Sequence, residues 1–305
     1  MTHVKKFLDH HRLQALDIPI LVESPISSLF VAQQIFKNAF STTPLLNPSD
    51  GFFRCALENL SDRIFELCDG ALVCLAAGAP AGAEPLARAA IEGAVNALYI
   101  CDNNHKERLF GYFFRYLNEH KQKLEKWSDH KANQTNDIDV LKMIERREEA
   151  RSGMEWLVNR WREGLSLPDA RTLLSRWPSK FFDRCEQLGL KETYYTSYHR
   201  LSASSHMNAE ETINYLISYI SSAESISMSA VEQLGVESVH YSSLMSRISI
   251  LYYIDASASA CKAINSRIDS RAIERVRSDL REGIEQIAEA AGCPSLPQQT
   301  DADHD

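Results

Sequence analysis

Glycine and proline are scarce in this chain, 12 and 10 of 305 residues, and they occur in clusters. Too few turn formers are present to punctuate many short strands. No Asn-Gly hairpin turn and no run of alternating apolar and polar residues is found. A cation excess is missing as well. The formal charge is -8 and the pI is near 5.7, which argues against a broadly basic nucleic-acid surface. The seven cysteines (55, 68, 74, 101, 185, 261 and 293) are odd in number and form no CxxC pair. They read as reduced, packed thiols in a cytoplasmic protein. The amino terminus has no apolar signal-peptide core. The most apolar window, Ala71 to Ala83, is shorter than the roughly 20 residues a membrane helix needs. No membrane association is expected.

Familiar catalytic signatures are also missing: no P-loop, no GxGxxG, no His-Glu-x-x-His and no Gly-x-Ser-x-Gly. The scattered histidines, among them His105, His130, His199 and His240, give no Glu-x-x-His pair of the di-metal kind. No metal and no cofactor is expected.

What is present is helical periodicity. Apolar residues recur at threes and fours through 50–77 (Phe53, Leu57, Leu60, Ile64, Leu67, Cys68), 105–130 (Leu109, Phe110, Phe113, Phe114, Leu117) and 238–265 (Leu244, Ile248, Leu251, Tyr252). Further helices are expected over 4–16, from Ser24-Pro25 to 40, from Pro85 to 101, over 137–164, 168–177, 178–188, 208–234 after Asn208, and 270–291, with a polar-striped segment over 191–207. Gly189 and Gly235 are read as breaks. The fold class is all-α, a multi-helix bundle with a long charged antiparallel helical hairpin over 105–164. Residues 1–47 would be N-terminal helices packed on the bundle, 48–293 the main domain and 294–305 a disordered tail. The hairpin mixes both signs of charge and carries Trp127, Trp156 and Trp161. It reads as a solvated face or protein-partner surface, with RNA contact as the alternative.

Two polar stripes interrupt the apolar pattern. In the first, Arg88, Glu92 and Asn96 follow one another at spacings of four among alanines, Ile91, Val95 and Leu98. In the second, Tyr198, Ser202 and His206 do the same. Residues four apart share one face of a helix, so each stripe presents its polar groups in one direction. Charge set among apolar side chains must be paired or reach water. Arg88, Glu92, Asn96, Tyr198 and Ser202 are therefore candidate binding residues. His206 is the candidate acid/base group because imidazole titrates near neutrality. Its simpler role is a structural histidine bonded to a neighbour such as Ser202.

Arg200-x5-His206 resembles the arginine, four to six residues, histidine motif of HEPN domains. That resemblance implies a helical bundle and metal-independent RNA cleavage of the toxin or phage-defence type, at a homo-oligomeric interface. Arg200 would stabilise phosphate charge and His206 would act as acid/base. The residue after the arginine, polar in that family, is Leu201 here. A second resemblance covers roughly residues 50–220 and rests on Arg88-x3-Glu92 with Tyr198-x3-Ser202-x3-His206. It is to an all-helical bacterial family known only as a domain of unknown function. It implies that the two stripes face each other. Beside the RNA-targeting reading stands a non-catalytic helical module that binds a protein or small ligand.

Overall fold

The computed structural model describes residues 2–11, 20–43, 48–132, 138–198, 201 and 228–288. Among these residues the regular structure is helical: α1 (His3–His11), α2 (Ile20–Thr42), α3 (Pro48–Ala76), α4 (Pro80–Asp102), α5 (His105–Ala132), α6 (Ile138–Gly164), α7 (Ala170–Arg176), α8 (Phe181–Gln187), the single turn α9 (Lys191–Thr193), α10 (Met228–Ala263) and α11 (Ser270–Ala288). A π-helical turn, Tyr194–Tyr198, continues α9. The all-α expectation holds. No described helix is long and apolar enough to cross a membrane.

Three helix boundaries differ from those expected, each helix running across or beginning before a local breaker. Helix α2 starts at Ile20 rather than at Ser24-Pro25, and Pro25 lies inside it. Val22 extends the buried line Ile26, Leu29 and Phe36, so packing carries the helix across the proline. Helix α4 starts at Pro80, where the missing N–H costs nothing, and Pro85 is interior. Helix α10 runs through Gly235, a residue worth about 1 kcal/mol against a helix. The calls on Arg200, Ser202 and His206, on most of 191–234 and on the 294–305 tail fall outside the described residues.

The chain divides into two compact units: Met1–Leu98 with Cys185–Asp305, and Tyr99–Arg184. In the first, α2, α3, α10 and α11 pack on one another and α1 packs on α2. Edge-to-face aromatic pairs run through this core. Phe7 meets Phe30 at 6.2 Å, Phe30 meets Phe65 at 5.7 Å and Phe36 meets Tyr253 at 5.8 Å.

Every residue of α10 from Tyr241 to Ile250 is buried, and four of these ten are serines. The sequence pattern makes this helix simply apolar; the structure gives it a polar interior lining instead. Ser246 Oγ donates to the Ser242 carbonyl and Ser249 Oγ to that of Ser246, at 2.8 and 2.7 Å. Further along α10, Ser257 pairs with Ser61 of α3 at 2.7 Å. Arg247 is 4 % exposed and donates to Ser243 Oγ at 2.7 Å. Burial lowers its pKa to about 10, so it stays protonated at neutral pH.

In the second unit α5 packs on α6 and α7. Asp169 caps α7, accepting from the Thr172 amide at 3.0 Å and from its hydroxyl at 2.8 Å. Trp177 meets Tyr99 edge-on at 5.2 Å and Tyr112 at 5.3 Å. Arg108 donates to the Tyr99 carbonyl at 2.7 Å while its guanidinium lies over that ring.

Helix α7 reaches α5 at Gly111, where an added Cβ would sit 2.9 Å from the Leu173 carbonyl oxygen and 3.3 Å from Trp177 Cβ. Backbone cannot yield as a side-chain tip can. Gly111→Ala is therefore expected to destabilise by about 1–3 kcal/mol in denaturant unfolding. Gly153, inside α6 with open space around its Cα, is the control. Gly153→Ala is expected to stabilise by about 0.5–1 kcal/mol. Equal effects at the two positions would sink the close-approach argument.

Candidate functional site

The polar stripe of α4 begins one turn earlier than the sequence reading put it. Glu84, four residues before Arg88, is buried at 7 % exposure and accepts from Ser242 Oγ of α10 at 2.9 Å. Placing the helix start at Pro85 hid it; the repeat of four was the signal that points to it. Glu84, Arg88, Glu92 and Asn96 thus form one line on a helix whose other faces bury Ala83, Ala87, Ala90, Ile91, Ala94 and Val95. Gly93 brings α4 close to α3, since a Cβ there would lie 3.2 Å from Ile64 Cγ1.

Arg88 and Glu92 are half-buried and meet through Tyr198. Arg88 Nη2 donates to the Tyr198 hydroxyl at 3.1 Å, and that hydroxyl donates to Glu92 Oε2 at 3.2 Å. The Arg88 guanidinium also lies 4.8 Å from the centre of the Tyr198 ring. Burial raises the Tyr198 pKa, with Arg88 opposing the shift and Glu92 adding to it. The phenol is neutral at physiological pH and serves as donor and acceptor at once. Among the described residues, Arg88 Nε and Asn96 Oδ1 are shielded from solvent without a hydrogen-bond partner. The stripe therefore retains one unused donor and one unused acceptor.

The π-helical turn aims Tyr198. Its i→i+5 bonding takes more residues per turn than an α-helix and so changes the direction of Tyr198 relative to Thr193. Thr193 Oγ1 bonds the Tyr252 hydroxyl on α10, and Tyr198 bonds the α4 stripe. Tyr194 stacks on Tyr198 at 5.6 Å, and Leu201 is fully buried. Of the six stripe residues, the structure brings Arg88, Glu92 and Tyr198 together and sets Asn96 on the same line. Ser202 and His206, together with Arg200, are outside the described residues.

A separate cavity of about 820 Å³ opens where α10 passes to α11, lined in part by Asp255, Lys262, Asn265, Arg267 and Arg277. It contains none of the stripe residues. Arg277 Nη2 donates to Asp255 at 2.6 Å there, and burial nevertheless raises the Asp255 pKa.

Fold and site together define an all-helical protein with a polar, tyrosine-bridged line across its first unit. The chain belongs to the Family of unknown function (DUF5677), whose pattern matches residues 56–222. That span contains the whole of α4 and the π-helical turn. No curated protein and no solved structure matches the chain.

The hydroxyl of Tyr198 is the one group that touches both charges. Tyr198→Phe is expected to cost about 1–3 kcal/mol in denaturant unfolding, because a half-buried donor and acceptor lose their partner. Adding Glu92→Gln to Tyr198→Phe is expected to cost clearly less than the two separate losses combined. Strict additivity would show that the three residues do not act as one network.

Proposed function

We propose that the chain is a HEPN-like RNA-targeting effector of the bacterial toxin or phage-defence type, acting in the cytoplasm as a homo-oligomer. The observation that carries this reading is the anchoring of Tyr198 to Arg88 and Glu92. Arg200 follows Tyr198 by two residues in the sequence. A guanidinium suits a phosphodiester, whose charge a planar fork of donors recognises.

In this reading the ribose 2′-oxygen attacks phosphorus and the bond to the 5′-oxygen breaks, leaving a 2′,3′-cyclic phosphate and a 5′-hydroxyl. His206 takes the 2′-hydroxyl proton or delivers one to the departing oxygen, and Arg200 bears the charge that builds on the phosphoryl oxygens. Arg88, Glu92, Asn96, Tyr198 and Ser202 shape the pocket. The alternative is a non-catalytic ligand-binding or interaction module. One observation favours it: Arg88, Tyr198 and Glu92 already satisfy one another, as a structural network does.

Incubating the purified protein with labelled single-stranded RNA, with chelator present, separates the two. Cleavage is expected to fall by about 10²–10⁴-fold in His206→Ala, as for loss of a general acid/base, and comparably in Arg200→Ala. Wild type and His206→Ala cutting at the same rate, or neither cutting, would overturn the catalytic reading and leave the module.

A further inference from the structure

Helix α6 is built inside out. Its buried residue is Arg151, whose guanidinium is held by Glu148 at 2.6 Å and Glu155 at 2.7 Å. The same contact holds the Glu148 carboxyl below the usual carboxylate range. Larger apolar side chains are exposed: Ile138, Leu141 and Trp156 on one flank and the far side, and a second group roughly 60–120° round the helix from Arg151 in the other direction. Met143 is 41 % exposed, Met154 39 % and Leu157 48 %, and Ala150 between them is exposed too. At about 100° per residue these four fall within roughly 60° of one another on one face. Trp161 continues the line.

The spacing of that line is a heptad: 143, 150 and 157 alternate with 147, 154 and 161. Such a seam fits a second helix laid along it. Isolated exposed methionines or leucines need no explanation, whereas a contiguous apolar stripe on a charged helix marks a contact surface. The rim is cationic. Lys142, Arg146 and Arg160 flank one side and Arg147 takes a position on the seam itself, all exposed. None of the four forms an ion pair among the described residues, although Arg147 lies 5.3 Å from the Trp127 ring centre. Asp139, at the amino-terminal end, is the acid of α6 on this line; Glu145, Glu149 and Glu163 lie roughly 100–150° away from it.

We propose that this face of α6 docks an amphipathic helix of a partner protein, apolar on one side and rimmed by aspartate or glutamate. A second copy of α6 is a poor occupant. Antiparallel pairing on this seam sets Arg146 against Arg160, and parallel pairing sets Arg147 against itself. RNA matches the cations, yet Met143, Ala150, Met154 and Leu157 make most of the face aliphatic, which suits an apolar helix better than stacked bases. The proposal does not rest on the RNA-cleavage reading.

The test uses the full chain and two fluorescein-labelled three-heptad peptides with leucine at the seam positions, one rimmed by glutamate and one by lysine, read by anisotropy. The glutamate peptide is expected to bind at least about tenfold tighter than the lysine peptide. Met154→Asp with Leu157→Asp is expected to weaken it by about tenfold or more. Arg146→Glu with Arg160→Glu is expected to reverse the preference between the peptides, a result that no loss of folding produces. Equal binding of both peptides, absence of binding, or indifference to both pairs of substitutions overturns the proposal. So does sedimentation showing a dimer that Met154→Asp with Leu157→Asp dissolves, which would make a second copy the occupant. A single-stranded RNA 12-mer that binds and needs Arg146 and Arg160, while the glutamate peptide does not bind, makes the face a nucleic-acid surface instead.

Discussion

A helix buried on all sides has no solvent to satisfy its polar groups, and that condition governs the first unit. From Tyr241 to Ile250, nearly three turns of α10 are covered by neighbours. Serines allow close packing while returning their hydroxyls to their own helix or to α4. Arg247 adds a charge to this interior, and the geometry makes room for it. A Cβ at Gly283 of α11 would lie 2.9 Å from Arg247 Nε, so the glycine accommodates the guanidinium. Packing and polar satisfaction are thus met by the same residues.

The α4 stripe extends this arrangement outward. Its first member, Glu84, is fixed on α10 through Ser242, and its middle members hold Tyr198. One helix therefore connects the unit's interior to its half-buried polar line. Among the described residues, Arg88 Nε and Asn96 Oδ1 then remain shielded from solvent without a partner.

The all-α class and the stripe were legible because both are periodic. Spacings of four in an alanine-rich segment specify a face whatever the neighbours do. Glu84 was not legible, because Pro85 reads locally as a helix start and only tertiary packing carries α4 through it. The α10 segment reads as an apolar helix, and its serines carry no signal in that pattern. Their buried pairing with Glu84 and Ser61 joins residues 158 and 196 positions apart, which no local pattern encodes. Helix α6 reads from its mixed charge as a solvated face, and charge pattern alone does not show that Arg151 is the residue it buries. The second stripe could be followed only as far as Tyr198.

The π-helical turn holds one residue more than an α-helix of the same rise, an insertion relative to the regular helix. Its effect on Tyr198 depends on how many residues stand between Thr193 and Tyr198 more than on which they are. Removing one restores a regular helix and swings everything beyond it by about 100° about the axis. Lineages that lost the insertion would keep the tyrosine in the sequence and lose its bond to Arg88 and Glu92. Alignments that close the gap by matching tyrosine to tyrosine would hide that loss.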